Sequence, residues 1–593
     1  DGAPLGVVRL GSLSAVETGF GVGTTPNQLG SIAINGRLAY ITSVSSSPAG
    51  PPKFDNNVNP VVYVVDLAAR AEVRTAQSGT VNLAREVQKA FTGSPAAPLF
   101  LADLRDVDFV PGTNIAYFVS QGADAVQRVA FNDNAVIQEF GSTQNKQIDV
   151  LGAGASLCQA PSGIAIARNA PRAFVNCWVS RKLATIDLGG QKVGPVIDAS
   201  APPADAAAAA VQRGKRFYFT GRGRWSNSGW SSCASCHPDG LTDNMTWIFP
   251  AGPRQTTSMD GTFSHGPGPQ KQRALNWTAI FDEIHDFEGN TRGVSGGLGA
   301  ITAALSKADC GTLSREVRVG IDNNSTLPVG LDFPVRELQR GAGLPNAPRC
   351  VSDWDDIEAF VKTIRPPRAA TGLDPAKVAL GKQLFSSDGS CQGCHGGDKW
   401  TISKRFYTPS IQTMTDLRGK TWSAPAGFPA ALLPTESGTG SMRLDPASLP
   451  DPATIGNFDQ ILCILRPVGT FNVADAISGV SEFRQNSNAT TPVAAQGNQA
   501  FGRGFNPPSL FGLSTGAPYL HAGNAATLES LFSPTFKAHY AALAPNFLSE
   551  ANPTERAQNL SALVQYLLSI DEATPTVAIP AAGAQGGDFC SNN

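Results

Sequence analysis

The sequence predicts a multidomain protein, all-β at its N-terminus and followed by two mainly α-helical, loop-rich domains. A chain of 593 residues exceeds what one hydrophobic core can serve, since cores stop growing near ~250–300 residues. Residues 1 to about 220 alternate short apolar runs with turn formers, whereas from about 221 long irregular loops are punctuated by a few helices. Gly (61) and Pro (43) are abundant while only 16% of residues are charged, a balance that favours turns and short strands.

In the first region, 1–220, strands are expected wherever period-2 alternation is bounded by Gly, Pro, Asn or Asp. The segments are "SIAINGRLAYITSV", "PVVYVVDLAA", "DVDFVPGTNIAYFVSQ", "AVQRVAF", "PSGIAIARNAPRAFVNCWV", "KLATIDL" and "KRFYFTG". A loose repeat begins near Ile32, Val107, Ile164 and Ala208, its spacing shrinking from about 75 to about 45 residues, the lower end matching a four-stranded propeller blade. The region is therefore read as β-propeller-like, with the number of blades open. Further on, "WDDIEAFVKTI" (Trp354 to Ile364) has helical spacing and halts at "RPP". "DPAKVALGKQLF" places Pro375 in a first helical turn, and "TERAQNLSALVQYLLSID" (Thr554 to Asp571) is the last strong helix.

The formal charge of −2, from 46 basic and 48 acidic residues, supplies no basic field for nucleic acid or an anionic membrane. No uninterrupted run of about 18 apolar residues predicts a bilayer span. Small molecules and proteins are the expected partners. The first residue is Asp and no leader precedes it, so a mature exported chain, periplasmic or secreted, is expected.

Four of the ten cysteines sit in two C-x-x-C-H motifs, Cys233, Cys236, His237 and Cys391, Cys394, His395. The other six are even in number, and chain proximity suggests the disulfides Cys158–Cys177, Cys310–Cys350 and Cys463–Cys590 among 15 possible pairings. A zinc ribbon needs its second cysteine pair about 15–20 residues away, but here the pairs start at 233 and 391. A thioredoxin-like dithiol wants a βαβ context, and both motifs lie in Gly- and Ser-rich loops. Covalent attachment of a c-type haem explains every position: two thiols form thioethers to the vinyl groups and the adjacent His reaches the iron. Two covalently bound haems are expected, with Cys233, Cys236, Cys391 and Cys394 as attachment residues and His237 and His395 as proximal ligands. A helix, C-x-x-C-H and a closing helix make a small cytochrome c domain, giving domains at 221–368 and 369–593.

The order "ALGKQLFSSDGSCQGCHGG" followed by "FNPPSLFGLSTGAPYLHAGNAATLESLF" resembles the bacterial di-haem cytochrome c peroxidase and MauG superfamily. The closing segment matches that family's pattern at Pro508, Ser509, Leu510, Ala517, Pro518, Tyr519, His521, Gly523, Thr527, Leu528 and Glu529, and departs from it at Ala522 and Asn524. "GPRQTTSMDGTF" and "LNWTAIFDEIHDFE" resemble two further family segments, which implies an electron-relay role for Trp277. The guanidinium fork of Arg254 suits a haem propionate, with a distal oxygen as the alternative. The N-terminal region is similar to YVTN-type propellers. Rubber oxygenases are a neighbouring branch, and calcium is a further cofactor candidate.

Axial ligands decide what each haem does, because two strong ligands make an electron carrier while an open position admits peroxide or dioxygen. His539 is the expected distal ligand of the second haem, and His521 a hydrogen-bonding neighbour. For the first haem, His285, His265, Met259 and Met245 stay open. Glu283 and Glu288, beside His285, are candidates for the general acid/base work of O–O cleavage. One expectation is a peroxidase- or oxidase-like enzyme, with the first haem reactive, the second taking up or storing electrons, and a small redox protein as donor or acceptor. The alternative is a non-catalytic carrier with both haems six-coordinate, docked through its propeller.

Overall fold

The computed structural model describes residues 6–249 apart from 51, 76–77, 152–157, 223–224 and 227–228. It further describes 252–263, 272–273, 275–277, 284–287, 294–297, 302–303, 349–350, 352–403 and 505–580. These residues fall into two compact units, one holding those up to Asp239 with 294–303 and 350–360, the other those from Gly240 to Phe287 and from Val361 onward.

Three successive antiparallel sheets build the first unit. Strands β1 (Leu29–Asn35), β2 (Leu38–Ser46), β3 (Val58–Asp66) and β4 (Ala71–Glu72) form a meander, with β5 (Val81–Asn82) added on β3. The second sheet is β6 (Leu104–Phe109), β7 (Ile115–Ser120) and β8 (Ala125–Phe131), with β9 (Ile137–Phe140) and β10 (Ile148–Asp149) both on β8. The third is β11 (Pro161–Ile166), β12 (Arg172–Cys177), β13 (Lys182–Asp187) and β14 (Lys192–Asp198). Asn35 pairs with Leu38 across a two-residue loop whose first residue, Gly36, has φ 60°, the left-handed backbone that tight hairpins require.

Alternation along the strands turns these sheets into a stack. On β7, Phe118 enters a core with Tyr40, Val62, Val64, Phe109 and Val129, while its neighbours Tyr117 and Val119 enter another with Val126, Val175, Ala184 and Ile186. The middle sheet is thus buried on both faces, as successive propeller blades are. The Cys158–Cys177 disulfide is formed and buried, tying the segment before β11 to the end of β12. Cys310, Cys463 and Cys590 lie outside the described residues, as does the Cys350 side chain.

The fourth repeat expected near Ala208, with "KRFYFTG" as a strand, is instead the helix Ala206–Tyr218, and shorter helices at Ala15–Thr18, Phe54–Asn57 and Leu83–Ala90 also interrupt the all-β reading. Five consecutive alanines have the highest helix propensity, and Asp205 caps them by accepting from the Ala208 N–H. The helix docks through a buried pair in which Arg216 donates to both carboxylate oxygens of Asp124 at 2.9 and 2.7 Å. Tertiary anchoring overrode the aromatic, strand-like texture of 215–221.

In the second unit the helix Pro375–Gln383 starts with Pro at its first position and Asp374 as cap, and runs into a π-helical turn, Leu384–Asp388. The closing helix, Pro553–Leu568, crosses it at Gly381: a Cβ there would stand 2.1 Å from the Ala562 carbonyl oxygen and 2.6 Å from Tyr566 Cβ. Only a glycine permits that approach. Phe385, Trp400, Phe511, Leu528, Phe536, Tyr540, Leu563 and Leu567 fill the core around the crossing. The expected helix at Trp354 is present as Ser352–Val361. Among the described residues no helix is long and apolar enough to cross a membrane.

Two stability outcomes follow from this packing. Gly381→Val should lower stability by about 1–3 kcal/mol or more through overpacking at the helix crossing, read as a fall in the urea midpoint. Replacing Cys158 and Cys177 by Ser opens a 19-residue loop and should cost about 3 kcal/mol, checked by thermal unfolding of the holoprotein.

Candidate functional site

The second C-x-x-C-H lies on a single helical turn, Gln392–His395, entered from Cys391 and placed by the two crossing helices. The His395 N–H follows the Cys391 carbonyl at 2.9 Å and the Cys394 N–H bonds the same carbonyl at 3.1 Å, so both sulfurs and the imidazole leave one short turn. The Pro508 carbonyl sits 3.1 Å from His395 Nδ1. A carbonyl only accepts, so Nδ1 carries the proton and Nε2 keeps its lone pair. The His539 ring faces His395 with centroids 6.2 Å apart and planes at 77°. Burial pushes the His539 imidazole down to about 4, keeping it neutral, and its Nδ1 has no hydrogen-bond partner. Burial also pushes the Cys391 thiol up to about 12. Both residues keep some accessible surface despite this desolvation.

Two residues before Pro508, the same segment meets Trp277. The Asn506 N–H donates to the Trp277 carbonyl at 2.8 Å, and the Trp277 indole N–H donates to the Gln255 carbonyl at 2.9 Å. His521, buried, stacks on Phe505 at 3.8 Å and lies edge-on to Trp277 at 6.3 Å. The Gln255 N–H donates to the His521 carbonyl at 2.6 Å. Arg254 projects from the hairpin Thr246–Phe249/Gly252–Gln255, its guanidinium 5.6 Å from the Phe505 ring centre. Trp277, Arg254 and His521 are thereby gathered around Phe505, and Pro507 and Pro508 connect this group to His395.

The first C-x-x-C-H is built differently. Cys233–Ser235 form a 3₁₀ turn capped by Ser232, and the turn belongs to the β-sheet unit. Asp103, just before β6, accepts from the hydroxyls of both Ser232 and Ser235, one on each carboxylate oxygen. The Gln28 amide donates to the Ser235 carbonyl, and the Tyr218 hydroxyl donates to the His237 carbonyl at 2.9 Å. Burial, reinforced by Asp103, pushes the Cys233 thiol up to about 12. The motif is held by a buried carboxylate rather than by crossing helices.

Glu283, Glu288 and His265 lie outside the described residues, and of His285 the structure gives only its backbone, in the turn Ile284–Phe287. Met245 and Met259 belong to the second unit, where their N–H groups bond the Asp243 carboxylate and the Gly240 carbonyl, both at 3.0 Å. Sequence reasoning gave no site role to Asp103, Tyr218 or Phe505, and marked Pro508 only as a match to the family pattern. Asp103 stands 129 residues before Ser232 in the chain, and Pro508 contributes only a backbone carbonyl, so neither leaves a local signal.

No family model matches this chain, and no curated protein matches it. Among solved structures it is similar to a Kuenenia stuttgartiensis hydrazine synthase chain, 16% identical over 63% of this chain and 90% of that one, with a TM-score of 0.27. A functionally unknown protein from Desulfotomaculum acetoxidans is 11% identical over 29% of this chain, TM-score 0.20, and the dihydro-haem d1 dehydrogenase NirN is 11% identical over 30%, TM-score 0.17. The match spans 43% of the length of the Desulfotomaculum protein and 29% of NirN.

Two outcomes test this geometry. Asp103→Ala leaves two buried hydroxyls without their acceptor and should cost about 1–3 kcal/mol, seen as a lower unfolding midpoint. Burial raises Asp243 from 3.8 to about 7. The folded state therefore binds its proton more tightly than the unfolded state does, and stability is lost as pH rises from about 4 to 7, by about 1.4 kcal/mol per unit. Asp243→Asn should flatten that slope in urea midpoints taken at pH 5 and pH 7.

Proposed function

We propose that this chain is an exported di-haem c-type cytochrome with peroxidase- or oxidase-like activity, in which the second haem stores electrons and the first is reactive. The observation that carries the reading is the His395–His539 pair beside Cys391 and Cys394. An iron held between two imidazoles stands about 2 Å from each nitrogen, with each ring centre about 1 Å further, roughly 6 Å in all. The 6.2 Å separation of the rings fits that span. Cys391 and Cys394 would hold the porphyrin, His395 would bind through Nε2, and His539 would close the opposite face. Such a haem supplies one-electron redox chemistry at low potential. A helix crossing that encloses C-x-x-C-H, as Pro375–Gln383 and Pro553–Leu568 do, supports reading this part as a cytochrome c domain.

Cys233, Cys236 and His237 would hold the first haem. Its distal ligand is one of His285, His265, Met259 and Met245, and a labile or open position there would admit hydrogen peroxide or dioxygen. Trp277 would pass electrons, a role supported by the path from its carbonyl through Asn506 and two prolines to the carbonyl beside His395. Arg254 would hold a propionate, and Glu283 and Glu288 would handle protons. The buried Cys158–Cys177 disulfide supports a periplasmic or secreted location, where thiols are oxidised.

Haem should survive denaturing electrophoresis, and its complete loss would remove the covalent assignment. His539→Ala should turn one haem from low-spin to high-spin and let it bind carbon monoxide once reduced, read by electron paramagnetic resonance and absorbance. An unchanged spectrum would exclude His539 as the ligand.

A further inference from the structure

An aromatic chain in the β-sheet unit leads from the protein surface to the first C-x-x-C-H, and nothing above employs it. Trp178, 37% exposed, sits in the turn after β12, directly after the disulfide-bonded Cys177. Its backbone is pinned as the Trp178 N–H bonds the Ala160 carbonyl at 3.2 Å and the Val179 N–H bonds that of Gln159 at 3.2 Å. The Trp178 ring meets Phe219 edge-on at 4.8 Å, and Phe219 meets Tyr218 at 5.0 Å. Phe219 and Tyr218 are both sealed from solvent, and the Tyr218 hydroxyl ends the chain on the His237 carbonyl.

Two cations lie near Trp178. Lys215 holds its ammonium 5.0 Å from the Trp178 ring centre, and burial, with the like charge of Arg181 adding to it, pulls the lysine's affinity for its proton down. Among the described residues neither Lys215 nor Arg181 is in an ion pair, whereas the neighbouring Lys182 is neutralised by Asp198 and Arg213 by Asp356. Two uncompensated cations beside an exposed indole favour an anionic partner face.

We propose that Trp178, Lys215 and Arg181 form a docking port for a small acidic one-electron carrier protein, and that Phe219 and Tyr218 conduct its electron to the haem held at Cys233, Cys236 and His237. The reduced carrier loses one electron and the ferric haem gains it. The aromatic rings bridge the transfer without being oxidised, and no proton moves. This inference rests on the proposed haem at the first motif.

The test uses the full-length holoprotein and a reduced acidic blue-copper protein as probe, with haem reduction followed by stopped flow. Reversing both charges, K215E with R181E, should slow the bimolecular rate roughly tenfold or more at low ionic strength, and the difference should vanish in high salt. Trp178→Leu, which keeps apolar contact with Phe219, should slow the transfer step at saturating carrier. Neither change should alter reduction by neutral hydroquinone, which needs no docking. If both variants match the parent protein with the blue-copper probe, the port is overturned. A companion variant, Cys391→Ser with Cys394→Ser, carries haem only at the first motif: its haem stain on a denaturing gel separates the two ideas. Stain with unmoved rates removes the port alone, and absence of stain removes the haem at this site and the port with it.

Discussion

The Pro508 carbonyl that accepts from His395 Nδ1 is the contact on which the second unit's arrangement turns. It sets the imidazole's tautomer and direction, and it can do so only if the chain around 505–510 lies across the C-x-x-C-H turn. Thr401 and Ser509 hold that placement, since the Thr401 hydroxyl donates to the Pro507 carbonyl and the Ser509 hydroxyl to that of Lys399, both at 2.7 Å. With the segment pinned, Phe505 and Asn506 fall beside Trp277 and His521. A single backbone path therefore orients a histidine at one end and an aromatic group at the other.

The two motifs share five residue positions and little else. At Cys391–His395 the surroundings are apolar, with Phe385, Trp400 and Tyr566 packed nearby, and position comes from the close helix crossing at Gly381. At Cys233–His237 position comes from polar contacts to a buried carboxylate, a glutamine and a tyrosine. A polar cradle and an apolar one solvate charge differently, so haems at these places would differ electronically even with the same proximal ligand.

Composition and short patterns told much of this in advance. The longer strands, β1 to β3, β6 to β8 and β11 to β13, were legible because alternation bounded by turn formers is a local property, whereas the short edge strands β4, β5, β9 and β10 carried no such pattern; the helices at Pro375 and Pro553 were legible because their caps sit in the adjacent residues. The segment at Ala208 misled, since its aromatic residues resemble a strand while its alanine run and the Asp124–Arg216 pair make it a helix. The Cys158–Cys177 pair was legible from proximity along the chain alone.

By itself the sequence determined the chemistry available, two C-x-x-C-H motifs and a small set of histidines, because thiol and imidazole functions are written in residue type and spacing. It also marked His539, Trp277 and Arg254 as worth attention. Only the tertiary structure decided that His539 stands 6.2 Å from His395, that Asp103 grips both serines of the first motif, and that Trp178 leads inward through Phe219 and Tyr218. These contacts join residues tens to more than a hundred positions apart, or run through backbone carbonyls that every residue possesses. No local pattern encodes them, because they exist only once sheet stacking and helix crossing have brought the chain together.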